Sequence, residues 1–436
     1  MFRVLMITTL FLSVPINALA DWSIIHAGQL LAVPGKAPLE NASVVIHDGV
    51  ITEVIEGFVS SDQVETDNES VKIIDLSKQF VLPGLIDAHV HLTNQYSLGN
   101  TPYLFMQPEE FHTITGVKNA GLTLRSGFTT VSDVGSGAYT VYAVRDAINA
   151  GMIEGPHIIA SGLSMSVTGG HADRTSHLPD HLWKTRDDVQ NSQCDSVEEC
   201  RYRVRTLSKR GADIIKITAT GGGGSMQNRG MSQHFTDEEM RSIVETAHML
   251  GLKVTAHAHG GGGVSAALRA GVDSIQHGTL SNKESIALFK KTGAYLVPTL
   301  LALKGSQEFL DNGTFPAIPA AKIKATLPAM HANRERLFNS GLKIAFGTDS
   351  GVTDHGRNAE EFGLLVEWGG MTPMEAIKTA TVNGADNLGI SDTRGTLEAG
   401  KYADIIAVDG NPLKDVKALE SVAFVMKMGK VVKLMP

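Results

Sequence analysis

The stretch VLPGLIDAHVHL, Val81 to Leu92, is an apolar run that ends abruptly in His89-Val90-His91. If the run is a strand, residues two apart share a face, so the two imidazoles project together from the strand's end. That is half of a metal site. By itself a His-x-His pair is weak evidence, because packed core histidines give the same pattern. The rest of the chain has to supply the other half.

Outward from that stretch, apolar strands alternate with helical segments. Eight strand candidates follow in order: LPGLIDAHVHL, GFTTVSDVG, HIIASGLSM, ADIIKITATGG, LKVTAHAHG, VDSIQHGTL, AYLVPTLLA and KIAFGTDSG. Between the later ones lie TDEEMRSIVETAHMLG, GGVSAALRAG and NKESIALFKKTG, with acids or small polar residues early and glycine at the stop. TPMEAIKTATVNGADNLG follows the eighth candidate, with Thr372 as N-cap and Pro373 at the first helical position. Eight such units predict an α/β fold, a (β/α)8 barrel over residues 81–390. An open doubly wound sheet is the alternative, disfavoured because no GxGxxG opens a helix after the first strand. GGGGS, Gly221 to Ser225, lacks the Lys-Ser/Thr of a phosphate loop and is expected to be a mobile loop. The segment Lys304 to Met330 is expected to lid the site.

Both ends of the chain read as short strands with Gly, Pro and Asp turns. Residues 21–80 and 391–436 are expected to form one small β-sandwich domain flanking the barrel, with HDG at His47 to Gly49 as a hairpin turn. Residues 1–20 read as a secretory signal: Arg3, an apolar run, and Ala18-Leu19-Ala20 before Asp21. The run is short for a bilayer span, so the mature chain is expected to be soluble and secreted or periplasmic. Cys194 and Cys200 are then expected to form a local disulfide. The 436 residues carry a diffuse net charge of -8 and no Lys/Arg run, which argues against a nucleic-acid partner.

Barrel chemistry sits at the C-terminal ends of strands. At those ends this chain places His89, His91, Lys216, His257, His277 and Asp349. Each alone reads equally as a packed or capping residue; six at equivalent positions do not coincide easily. Lys216, among Ile214, Ile215 and Ile217, is costly to bury as a cation. A neutral amine there can take up carbon dioxide to become a bidentate carbamate. A Schiff-base lysine and a plain salt bridge are the alternatives.

These motifs, with SMSVTGGHAD and GTLEAGKYADIIAVDGNP, resemble the amidohydrolase superfamily, and within it the imidazolonepropionase-like group with its dipeptidases and carboxypeptidases. The resemblance implies two divalent metal ions, most often zinc. His89, His91 and Asp349 match the ligands of one metal, His257 and His277 those of the other, and Lys216 the carboxylated bridge. Two cations sharing a water would make hydroxide available, with Asp349 as general base and then acid. His171 matches a residue that contacts substrate. His259 stands where some relatives carry tyrosine, and Arg229 is a further candidate for holding a substrate carboxylate. The implied substrate is a small molecule or short peptide: a dipeptide or an N-acyl amino acid. Cyclic amides, amide-linked toxins and lactones are alternatives, as is a catalytically silent binding protein. Relatives often assemble, so a homo-oligomer is an open expectation.

Overall fold

The computed structural model describes residues 22–66, 70–95, 107–175, 191–225 and 230–434. The signal segment 1–20 and Arg229 lie outside the described residues. In chain order the strands are β1 (Trp22–Leu30), β2 (Leu39–His47), β3 (Val50–Glu56), β4 (Val71–Pro83), β5 (Leu85–Val90), β6 (Phe128–Asp133) and β7 (His157–Ala160). They continue as β8 (Ile214–Thr218), β9 (Lys253–Gly260), β10 (Ser274–Leu280), β11 (Tyr295–Val297), β12 (Ile405–Val408), β13 (Val422–Lys427) and β14 (Lys430–Leu434).

The two ends of the chain meet in one seven-stranded sheet, ordered β14-β13-β12-β4-β1-β2-β3. Its hairpin from β2 to β3 turns at Asp48 and Gly49, both at positive φ, as a two-residue hairpin loop demands. Period-two alternation gives the sheet two buried faces. Val81, Ile405 and Ala407 pack with Ile25 and Phe424 in one cluster, while Phe80, Leu82, Ile406 and Val408 join the main core. The seven strands form one hydrogen-bonded sheet whose two ends come back together, with Ala403 N–H donating to Gly49 O and Ile51 N–H to Lys401 O, each at 2.8 Å. Strand β4 runs without a break through Phe80 to Pro83 and delivers the chain to β5.

The middle of the chain forms two parallel sheets, ordered β5-β6-β7 and β11-β10-β9-β8. Each strand is followed by helix, beginning with Glu109–Arg125 after β5 and Thr140–Asn149 after β6. Backbone bonds join the two sheets on both sides. Met165 N–H donates to Lys216 O at 2.8 Å, and Thr218 N–H to Met165 O at 2.9 Å. On the other side, Ala345 N–H donates to Leu296 O at 3.0 Å, and His91 N–H to Ser350 O at 2.8 Å. The eighth expected strand is thus an extended segment held by isolated bridges at Ile344 and Ser350. Asp349 at φ 59 departs from strand geometry, and Gly347 packs so closely that a Cβ there would lie 2.3 Å from the Val297 side chain.

Helix boundaries follow their caps. Thr236 and Glu239 form a reciprocal capping box ahead of Asp237–Met249, and Thr372 and Glu375 do the same ahead of Pro373–Thr379. The last expected helix splits in two, Pro373–Thr379 and Val382–Leu388. The Thr379 and Thr381 hydroxyls donate back to the Ala376 and Ile377 carbonyls, the local competition that interrupts helices at threonine. Cys194 and Cys200 are disulfide-bonded with their Cα atoms 5.0 Å apart, at the entry to the helix Val197–Arg210. No helix among the described residues is long and apolar enough to cross a membrane.

Candidate metal centre

Strand β5 and the segment after Phe346 bring His89, His91 and Asp349 together. The Nε2 atoms of His89 and His91 lie 3.3 Å apart, and Asp349 Oδ1 lies 3.3 and 3.1 Å from them. Ligands on a tetrahedral zinc at 2.0–2.1 Å are separated by about 3.3 Å. The second nitrogen of each ring is spoken for. His91 Nδ1 donates to Gly135 O at 2.8 Å, and His89 Nδ1 pairs with Gln276 Oε1 at 2.8 Å. Both Nε2 lone pairs are therefore turned toward Asp349, the arrangement that metal-binding histidines require.

This convergence has a buried anchor. Asp87 accepts the His89 N–H at 3.0 Å, the Thr348 N–H and hydroxyl at 3.2 and 2.6 Å, and the Asn358 amide at 2.7 Å. It ties β5 to the residues just before Asp349. Burial pushes its carboxyl up to about 6, opposed by these donors. Asp133, also raised by burial, accepts the Leu92 N–H at 2.7 Å. Glycines leave room: at Gly351, at φ 119, a Cβ would lie 2.9 Å from His91 Cβ.

Strands β9 and β10 supply a second group, His257, His259 and His277, whose ligand atoms lie within 4.8 Å of one another. His257 and His259 share a face by alternation. His277 reaches the same space because its φ of 70 breaks the alternation, so that it and Gln276 both serve the centre. Thr hydroxyls lie 2.7 Å from the Nδ1 atoms of His277 (Thr299) and His259 (Thr279). The two rings stack, 13° between planes and 4.7 Å between centroids.

Burial sets the charge states. It holds His257 and His277 well below the usual histidine range and His89 and His259 at about 4, so these imidazoles are neutral near pH 7, as ligation requires. Burial also lowers His91, but Asp349 outweighs it and raises that ring. Burial opposes ionisation of Asp349, yet His89 and His91 prevail and hold its carboxyl well below the carboxylate range. Lys216 is 3 % exposed, and burial brings its amine down to about 7 against the pull of Asp349 and Asp133. It stands on β8 opposite Thr255 of β9, and its charge disfavours protonation of His89, His91, His257, His259 and His277 alike. Imidazole nitrogens, one carboxylate and a readily neutralised amine are a donor set that fits divalent cations.

His171 stacks on His257 with centroids 4.2 Å apart, and its Nδ1 is buried without a partner among the described residues. The Gly221–Ser225 run is a loop after β8, buried at every residue but Gly224. Lys322, from the long helix Ala317–Phe338, donates to Gly222 O and Ser225 Oγ at 3.0 Å and also to Ser225 O. Glycine is needed here because neighbours crowd in. A Cβ on Gly222 would lie 2.4–2.7 Å from three atoms of the His171 ring. Gly222→Ala is accordingly expected to displace His171 and lower kcat/KM at least about tenfold, since small misplacements at a reacting centre are costly. Steady-state kinetics beside a thermal melt checks this; unchanged kcat/KM in a folded variant would separate His171 from the reaction.

Sequence reasoning brought out the six strand-end residues and His171 and His259. It missed Asp87, Gln276, Thr299 and Lys322. Asp87 had a signal, since it lies two residues before His89 on the same face. Lys322 had none.

Comparison with known proteins places this geometry. A model of the amidohydrolase family matches residues 80–432. Ochratoxinase of Aspergillus niger is 32% identical over 440 residues, spanning 95% of this chain and 87% of that protein. Among solved structures, a Xaa-Pro dipeptidase with methionine bound in its active site aligns with a TM-score of 0.87 at 38% identity, covering 94% of this chain and 99% of that one. A prolidase complexed with N-methylphosphonate-L-proline aligns at 0.84 and 29% identity, covering 95% and 100%.

Proposed function

The chain belongs to the amidohydrolase family and is a hydrolase of amide C–N bonds; from that premise we propose that it releases an amino acid from a dipeptide or an N-acyl amino acid at a binuclear metal centre. What supports this is the convergence of the two groups, with the His89 and His277 rings 5.1 Å apart, together with a buried Lys216 whose amine burial has already made easy to neutralise. His89, His91 and Asp349 would hold one cation, His257 and His277 the other, with Lys216, as its carbamate, between them. Zinc suits these ligands, and two such cations would supply an activated water and polarise the scissile carbonyl.

The chain's own groups do the rest. Asp349 takes the attacking water's proton and passes it to the leaving amine. His171, whose Nδ1 has no partner among the described residues, offers a hydrogen bond to the substrate's carbonyl or carboxylate, and His259 packs edge-on against the same His257 ring on which His171 stacks. In this reading the backbone bonds linking the two parallel sheets close a (β/α)8 barrel, and residues 1–20 export the enzyme. A second reading, hydrolysis of an amide-linked toxin with an amino-acid half, is favoured by the similarity to ochratoxinase over nearly the whole chain.

The test is metal analysis together with a panel of dipeptides (Xaa-Pro and Xaa-Met included), N-acyl amino acids and ochratoxin, read by amino-acid release. About two metal equivalents per chain are expected, and less than about one after metal-supplemented expression would remove the two-metal site. No release from any dipeptide or N-acyl amino acid by metal-loaded protein would remove the substrate class.

A further inference from the structure

Thr299 stands at the N-cap of the helix Leu300–Asp311, yet its side chain caps nothing there. An N-cap threonine ordinarily accepts an N–H from the first turn of its own helix. Here Thr299 sits at φ 49, ψ 51, and its hydroxyl lies 2.7 Å from His277 Nδ1. The orphaned first-turn donors are met from elsewhere. Glu361, fully buried near the start of the helix Glu360–Glu367, accepts the Leu300 N–H at 2.9 Å and the Leu301 N–H at 2.6 Å, one with each carboxyl oxygen.

We propose that Glu361 is a positioning residue of the reaction centre: it caps the Leu300 helix in Thr299's place and so releases the Thr299 hydroxyl to fix the ring orientation and tautomer of His277. A buried carboxyl group is costly. A local threonine cap would satisfy at most one first-turn N–H, that of the second or third helical residue, and would leave His277 Nδ1 unheld. With Nδ1 carrying the proton toward Thr299, Nε2 faces the centre as a lone-pair donor. The same short segment also serves the other ligand group, because Asn358 donates to Asp87, which fixes His89 and Thr348. The inference rests on the reading of His277 as a metal ligand.

The test uses Glu361→Gln, Thr299→Val and the double variant in the full chain, with Thr299→Ser as the conservative control. Chelator competition should show one of two metal equivalents weakened about tenfold or more in each single variant, the other equivalent retained. Because both act through one contact, the double variant should lose no more than the worse single one. Thr299→Ser should keep wild-type affinity. In metal-free protein labelled with 15N-histidine, the His277 signal, assigned by its loss in His277→Asn, should leave the Nδ1–H tautomer in Glu361→Gln. Equal weakening of both metals, additive losses, or an unchanged His277 tautomer would overturn the proposal. If wild-type protein holds less than about one metal equivalent, it is the metal-centre reading that fails, and the tautomer measurement still decides the link.

Discussion

Asp349→Asn is expected to leave the fold and most of the metal intact while kcat falls by about 10²–10⁴-fold, the usual contribution of a positioned proton-transfer group. The backbone tolerates the change. Asp349 sits at φ 59, and asparagine is among the few residues that adopt that region readily. The amide is the same size as the carboxyl, so packing against His89 and His91 is preserved. What changes is chemistry. The native carboxyl, within 3.3 Å of both histidines, lies well below the usual carboxylate range, and an amide can neither carry that charge nor accept a proton. The measurement is kcat beside metal content and a thermal melt on the same preparation. Wild-type kcat in a folded, metal-loaded variant would refute the proton-transfer role. Loss of metal in parallel with activity would instead assign Asp349 mainly to ligation.

How far the site was legible depended on whether alternation held. His89 and His91 sit two apart at the end of β5 and just past it, His257 and His259 two apart within β9, and period two alone places each pair on one face. Histidine 277 was legible as a strand-end residue but not as a neighbour of Gln276, because φ 70 defeats alternation there. The segment carrying Asp349 reads as a strand by composition, yet it makes only isolated bridges, and Asp349 itself sits at positive φ. The burial of the tetraglycine run was hidden for a different reason. Glycine content alone says nothing of what packs there, and here small residues are what allow His171, Ile323 and the Gly230 carbonyl to approach. The anchor, Lys322, lies about a hundred residues downstream, and no local pattern announces it. Glu361 is hidden in the same way: an acid in the first turn of a helix reads as a favourable dipole contact, and only the fold shows it capping a different helix.

Lys216→Ala is expected to lose both metal equivalents together. Ordinary loss of one ligand from one of two independent sites would release a single equivalent. Lys216 differs because its charge acts on both groups, disfavouring protonation of His89 and His91 as well as of His257 and His277, while burial brings its own amine to about 7. Without an anionic oxygen donor between them, two divalent cations would face each other across five imidazoles, counting His259, with only Asp349 to offset their charge. Elemental analysis of the purified variant is the direct measurement, with zinc supplied during expression. The truncated side chain also leaves space at the centre, so a small carboxylate such as acetate or propionate, added at millimolar concentration, should restore part of the metal content and turnover. An amine of similar size should not, because the missing function is the oxygen anion and not the lysine's charge. Two tightly bound metals in Lys216→Ala without added carboxylate would rule out the bridge. Rescue by the amine would turn the same residue from a metal bridge into a Schiff-base or electrostatic lysine.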